Sequence, residues 1–263
     1  KTGFLTSLPT ITPNAGTSGI GGTVDITNNS SSLIQVGPIN ANGGTGTAGD
    51  GGTITVTNKG NGVAANGGIT LNGNISASST GALGTGNGGT ITVDAFSGTV
   101  MGGVQFAAAN TLTASGSGTA GAGGTISVGG SSLTTNNNLT RSFIADATQS
   151  AAGSAKGGTI TLAAGVTQIN FAIGAGTLNM SALGGKAGGA GGTVSATAVT
   201  SVLFPTGTIN VSGQANAAGG DVTLLGSSNG LGGGAMTIAS TITANGAGTA
   251  RGGSGITPGI DQC

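Results

Sequence analysis

The chain of 263 residues has no His, Trp or Tyr, no Glu, six Phe, five Pro and one Cys. These absences remove most side chains that serve as general acids and bases or as metal ligands. The expectation is therefore a protein that is not an enzyme, with no catalytic residues, no cofactor and no metal. Six Lys and Arg balance six Asp, so no basic field exists for nucleic acid or an anionic membrane surface. The apolar runs are too short to cross a bilayer, so no membrane insertion is expected. Residue 1 is Lys, and no charged segment followed by an apolar one remains, which reads as a processed chain or a fragment. Cys263 is the last residue and cannot belong to a disulfide framework within the chain. It is a candidate for a bond between subunits.

What is present is glycine, at 59 residues, with 36% hydrophobic residues and only 5% charged ones. Disorder pairs low hydrophobicity with high charge, and collagen sets Gly at every third position beside abundant Pro; neither describes this chain. The low charge and the abundance of Thr, Ser, Asn and Gly suit an exported protein, so the expected location is extracellular or at the cell surface.

Glycine doublets begin at Gly21, Gly51, Gly88, Gly123, Gly157, Gly191, Gly219 and Gly252, at intervals of 30, 37, 35, 34, 34, 28 and 33 residues. A period in this range marks a solenoid or an array. Each doublet opens onto a short run of period 2, which we call strand a: Thr23 to Ile26, Thr53 to Val56, Thr90 to Val93, Thr125 to Val128, Thr159 to Leu162 and Thr193 to Ala196. Alternation sends Ile and Val to one face and Thr, Ser or Asp25 to the other. A less regular strand b follows at Leu33 to Val36, Val104 to Phe106, Ile169 to Ile173 and Val202 to Phe204. Phe106, Phe171 and Phe204 hold related positions there, with Phe143 as a fourth candidate, and predict an internal aromatic ladder. Strand c comes next, at Asn74 to Ala77, Thr111 to Ala114, Thr177 to Met180, Thr208 to Val211 and Thr241 to Ala244. A Gly-rich corner such as Ser115 to Ala122 then leads to the next doublet, with glycine supplying positive φ and close backbone approach.

Three strands and a corner per period are the content of one coil of a parallel β-helix. The expected fold is all-β: a right-handed β-solenoid with three strands per coil and about eight coils of ~33 residues, over a single domain spanning 1–263. Hairpins are disfavoured, because Asn-Gly turns do not sit regularly between strands. A rival parse splits each period into two thinner coils; one coil is preferred because strand a aligns only once per period. The pattern loosens from Ser131 to Ser150, around Arg141 and Asp146, and reads as an inserted loop with a binding loop as the sharper alternative.

The two ends cut the repeat at complementary points. Residues 1–20 hold strands b and c of an incomplete first coil, and 252–263 hold a weak strand a of an incomplete last one. A shared coil between copies would continue the solenoid head to tail, with Phe4, Ile11, Ile256 and Cys263 as the candidate intersubunit residues. The self-association partner is thus another copy of the chain; excision from a longer solenoid fits the ends almost as well.

The segments ISASSTGALGTGNGGTITV (Ile75 to Val93) and LTASGSGTAGAGGTISV (Leu112 to Val128) resemble the β-helix repeats of filamentous-haemagglutinin-like bacterial surface exoproteins. The resemblance covers roughly Gly16 to Gly253. It implies a right-handed parallel β-helix, export, and work as an adhesin or matrix fibre; the secretion domain and Asn-Pro motifs of that family are not in this sequence.

Three functions are weighed on these grounds. The first is an extracellular structural or adhesive solenoid that meets glycans or cell surfaces and polymerises. The second is ice binding, through an outward Thr-x-Thr ladder of Thr53, Thr55, Thr90, Thr92, Thr125, Ser127, Thr159 and Thr161 that resembles the face of solenoidal antifreeze proteins and fades at Ala196 and Asp221. The third is a polysaccharide-active enzyme, for which the six Asp fall at mixed phases without a paired base. Calcium-binding nonapeptide repeats are absent as a pattern.

Overall fold

The computed structural model describes residues 9–29, 32–46, 49–59, 68–97, 100–135, 138–171, 176–226 and 235–253, with the side chains of 96, 97, 100 and 101 not described. Among these residues there is no helix, and the strands form three long parallel sheets of seven strands each. Sheet a contains Thr23–Asn28, Thr53–Asn58, Thr90–Asp94, Thr125–Gly130, Thr159–Ala164, Thr193–Ala198 and Asp221–Gly226. Sheets b and c interleave with it once per period, so each period is one coil, as alignment of strand a implies. Residue pairs such as Ile54 with Ile91 and Ile126 with Ile160 are in register, placing like side chains on like.

The described coils number seven rather than eight. We number them from the doublets at Gly21, Gly51, Gly88, Gly123, Gly157, Gly191 and Gly219. The strand after the eighth doublet falls at 254–257, outside the described residues, although Gly253 N–H already donates to Ala244 C=O at 2.7 Å in the position every doublet takes. At the other end, Ile11 makes a parallel bridge to Ile39 and extends sheet c, so this part of the incomplete first coil lies where its sequence puts it. Strands spaced by ~4.8 Å make the stack on the order of 30 Å from first to last.

The inward faces form one continuous apolar column. Ile54, Val56, Ile91, Val93, Ile126, Val128, Ile160 and Leu162 from sheet a meet Ile69, Leu71, Val104, Leu133 and Val202 from b, and Ile39, Ile75, Leu112, Leu178 and Ile209 from c, all fully buried. Burying each such side chain contributes roughly 1.5–3 kcal/mol. One coil alone has no partner for its core edges, so that gain comes only with stacking.

The aromatic ladder takes a different form from the predicted one. Phe106, Phe171 and Phe204 do come from sheet b, but Thr135 occupies the intervening place, in register with Phe106. Phe143 is on sheet c, paired with Leu112 and Met180, and reaches across the interior into the space Thr135 leaves. Its ring lies 5.5 Å from that of Phe106 and 6.1 Å from that of Phe171, both edge-on. Phe106 and Phe171, two coils apart, converge to 5.3 Å over the small Thr135. A large residue on c thus compensates a small one on b within the same coil, as close packing requires.

The doublets work through space rather than through unusual backbone angles. None has a positive φ; among the described residues that conformation is confined to Gly19, Gly84, Gly118, Gly188, Gly207, Gly248 and Ala215. A Cβ on Gly52, Gly89, Gly124, Gly158 or Gly192 would stand 2.0–2.1 Å from the carbonyl oxygen of the second doublet glycine one coil below. Each of these glycines also donates its N–H to the carbonyl at the end of strand c: Gly89 to Ala77, Gly124 to Ala114 and Gly158 to Ala145, all at 2.6 Å. Backbone therefore packs on backbone at this edge, and a methyl group has no room.

Beyond the doublets the corner is a thin fin. The chain leaves along one limb and returns along another in direct contact: a Cβ on Gly43 would meet Gly49 O at 2.0 Å, and one on Gly184 would meet Gly189 O at 1.9 Å. Successive fins bond to one another, for example Ser79 N–H to Ser115 C=O and Gly213 N–H to Asn245 C=O. Two short antiparallel pairs decorate the stack, Thr85–Gly86 with Ser117–Gly118 in the fins and the hairpin Phe96–Ser97 with Val100–Met101 between sheets a and b. That hairpin is an addition to one coil; the coils themselves remain parallel, in agreement with the turn chemistry.

The segment 131–150 is not an inserted loop. Leu133–Thr135 takes its place in sheet b and Arg141–Ile144 in sheet c, with 136–137 outside the described residues. The periodicity is hidden because an inward position of strand c carries Arg141 instead of an aliphatic residue.

Candidate functional site

Alternation on sheet a puts its Thr and Ser hydroxyls on the outward face, and exact coil stacking turns them into columns. Thr53, Thr90, Thr125 and Thr159 are mutually in register, as are Thr55, Thr92, Ser127 and Thr161. All eight expected ladder residues therefore lie side by side on one face. The columns run further than their sequence suggests. Thr23 extends the first column at one end and Thr193 at the other; Ser195 and Thr223 extend the second. Ala196 does not interrupt either column, because it is an inward residue that is fully buried beside Val194. Strict counting by two from Thr193 identifies Ser195 as the outward residue. Asp221 does end the first column, and Asp25 begins the second. Neighbours are spaced by ~4.8 Å across strands and about 6.6 Å along them, the dimensions of the sheet itself.

A third column on this face is irregular. It runs Thr57, Asp94, Gly129, Ala163 and Thr197, and the loss of side chains at Gly129 and Ala163 leaves a depression of about 250 Å³ lined by Thr92, Asp94, Ser127, Gly130 and Gly165. Gly129 lies beside the Asp94 carboxylate, and a Cβ there would meet Oδ1 at an ordinary contact distance of 3.5 Å.

Asp and Asn side chains at the coil edges act as acceptors between coils. Asp50 Oδ1 accepts Asn87 N–H at 2.7 Å, and Asn87 Oδ1 accepts Ala122 N–H at 3.0 Å. At the root of the fin, Asn14 Oδ1 accepts Asn42 N–H, Asn42 Oδ1 accepts Ser78 N–H, and Ser78 Oγ accepts Ser115 N–H. Asp146 holds the same position in coil 4 and accepts Ser181 Oγ–H at 2.6 Å and Leu183 N–H at 2.7 Å. Burial pushes its carboxyl above the usual range against the opposing effect of these two bonds. Asn58, almost fully buried, ties the a–b edge by donating to Ser32 C=O and Gly68 C=O.

Arg141 and Asp146, close in sequence, go to different places. The guanidinium is buried inside the coil, where it donates to Leu139 C=O and, at 3.0 Å, to Phe106 C=O; burial lowers its pKa from the ordinary value. The segment therefore offers these two residues to the coil interior and the fin, and not to a shared binding loop. Sequence pattern alone did not find the fin ladder, although the recurrence of Asn42, Ser78, Ser115 and Asp146 three residues after an inward strand-c residue carries it.

The described carboxylates are dispersed. Asp25, Asp94 and Asp221 stand in three different columns of sheet a, while Asp50 and Asp146 sit on the fins. No group of three His, Cys, Asp or Glu suited to a metal ion occurs among the described residues, and no described helix is long and apolar enough to cross a membrane. Of the intersubunit candidates, Ile11 is described: it bonds within its own chain, Ile11 N–H to Pro38 C=O and Asn40 N–H to Ile11 C=O, and remains 38% exposed. Phe4, Ile256 and Cys263 lie outside the described residues. No family model, curated protein or solved structure matches the chain, so the likeness to filamentous-haemagglutinin-like exoproteins rests on its repeats alone, and what is shown is a β-solenoid repeat protein.

Proposed function

We propose that the chain is an extracellular structural and adhesive β-solenoid, a rod segment that works through length and repetitive surface and continues head to tail through a second copy. The observation that carries this reading is the continuity of three parallel sheets, seven strands deep, whose hydrogen bonds all run along one axis. A parallel ladder presents at each end the same N–H and C=O pattern it uses internally, and such edges recruit further strands. The uncharged outward hydroxyls and amides suit glycans and cell surfaces as partners. Electron microscopy of the purified chain tests the polymer: rods of constant width that lengthen with concentration support it, and blunt monomers at every concentration overturn it.

The two hydroxyl columns favour ice binding as a second reading. A rigid, uncharged lattice of Thr and Ser on a sheet that cannot flex holds bound water in a fixed two-dimensional order. Thermal hysteresis that is present in the native chain and lost in Thr125→Lys and Thr161→Lys variants supports it; no hysteresis in the native chain removes it. The dispersed carboxylates supply no acid and base pair, among the described residues, for the polysaccharide-enzyme alternative.

A further inference from the structure

The fin-root ladder has one ionisable member. In coil 1, Asn42 Oδ1 accepts Ser76 Oγ–H at 2.6 Å and Ser78 N–H at 2.9 Å. In coil 4, Asp146 Oδ1 accepts the corresponding groups of coil 5, Ser181 Oγ–H and Leu183 N–H, in the same geometry. A neutral amide does this work at one joint, and a carboxylate of nearly the same shape does it at another. The difference is a charge that must be kept in a half-buried place.

No cation offsets that charge among the described residues. The coil 3 fin, which bonds to this one through Gly116 N–H and Asp146 C=O, has no ionisable residue from Ser115 to Ala122. The strand Leu178–Ser181 has none either. Lys186 lies at the turn of the coil 5 fin, Lys156 on the return limb of Asp146's own fin, and Arg141 points into the coil; none of them bonds to the Asp146 carboxylate.

We propose that Asp146 makes the joint between coils 4 and 5 acid-sensitive, so that the rod is firmer in mildly acidic medium than at neutral pH. When a proton binds Oδ2, Oδ1 keeps both accepted bonds and the group becomes the electrostatic equal of the Asn42 amide. The burial penalty on the charge then disappears. Because the folded chain holds this carboxyl above its unfolded pKa, folding takes up a proton. Stability accordingly rises as pH falls through the folded value, and the gain is complete below the unfolded one, near 3.8. In a solenoid each coil bonds to its two neighbours, so a weak joint opens locally and its effect is read locally.

The test uses the whole chain as wild type, Asp146→Asn, and Asp25→Asn as a control for loss of a surface negative charge. Melting is followed from about pH 7.5 to about pH 4, with amide hydrogen exchange at Leu183, corrected for intrinsic rates. The expected outcome is that D146N melts higher than wild type at neutral pH and that the gap closes on acidification, while D25N tracks wild type. Leu183 in the wild type gains up to about tenfold protection per pH unit through the titration and shows no such trend in D146N. Parallel pH profiles for wild type and D146N overturn the proposal, as does lower melting of D146N at neutral pH. Should D146N fail to fold, the exchange of Leu183 in the wild type decides alone: protection that does not rise as pH falls overturns it.

Discussion

Replacing Gly158 by Ala tests the claim that the doublet edge is backbone packed on backbone. The added Cβ would stand 2.1 Å from Gly124 O, 2.7 Å from Gly123 C and 2.9 Å from Ala145 O. Every one of these is a backbone atom of the neighbouring coil, so no side chain can rotate away. Relieving the closest contact requires coils 4 and 5 to part by on the order of 1 Å, at a strand spacing of ~4.8 Å. That movement stretches Gly158 N–H to Ala145 C=O, at 2.6 Å, and Thr159 N–H to Gly124 C=O, at 2.9 Å. Overpacking strain of about 1–3 kcal/mol and two weakened buried bonds at about 1 kcal/mol each give a loss of about 3–5 kcal/mol. Gly129→Ala is the matched control on the adjoining strand: its Cβ points outward, with only Asp94 Oδ1 at 3.5 Å. There Ala is better than Gly in an extended strand by roughly 0.5 kcal/mol. Urea denaturation followed by far-ultraviolet circular dichroism reads both midpoints. If the two variants shift the midpoint alike, or if G158A stays within about 0.5 kcal/mol of wild type, the packing account of the doublet is refuted.

Phe143→Ala removes the ring that fills the space over Thr135 and is expected to cost about 3–5 kcal/mol, with Phe143→Leu recovering part of it; denaturation midpoints measure both. Thr135 Oγ1 is buried without a hydrogen-bond partner, so Thr135→Val, similar in shape and apolar, is expected to stabilise by about 1 kcal/mol or more in the same assay. Asn58→Ala removes two hydrogen bonds, to Ser32 C=O and Gly68 C=O, which keep Asn28 Nδ2–H and Ile34 N–H as donors, and is expected to cost about 1–3 kcal/mol, with faster hydrogen exchange confined to the a–b edge of coils 1 and 2.

Most of the fold can be read from Thr-Ile-Thr-Val after Gly-Gly, because period 2 and a fixed spacing between copies specify a strand and its stacking partner together. The hydroxyl columns follow from the same two facts. Ala196 shows how the reading goes astray: a small residue after three regular ones looks like the end of a surface pattern, while the pleat turns it inward. Arg141 hides strand c of coil 4 for a related reason, since its inward position draws on the carbonyls of Leu139 and Phe106, which sequence distance does not reveal. Phe143 has room on sheet c because Thr135 is small across the interior, a correlation between two sheets that no single-strand pattern contains. The doublets read as punctuation until the carbonyl beneath each one is located.

The fins separate what must be constant along this rod from what is free to vary. Sheets a, b and c hold their register through all seven coils, while the connection from a to b is as short as 131–132 in coil 4 and as long as 59–68 in coil 2. Fin turns such as 151–152 and 186–188 lie at the surface, beyond the limbs that bond from coil to coil. Unequal spacing of the doublets is therefore taken up outside the load path of the stack. A short peptide grafted at one of these turns would be displayed at a fixed height along the rod, and several grafts would be spaced in whole steps of the coil, which makes the chain a ruler as well as a rod.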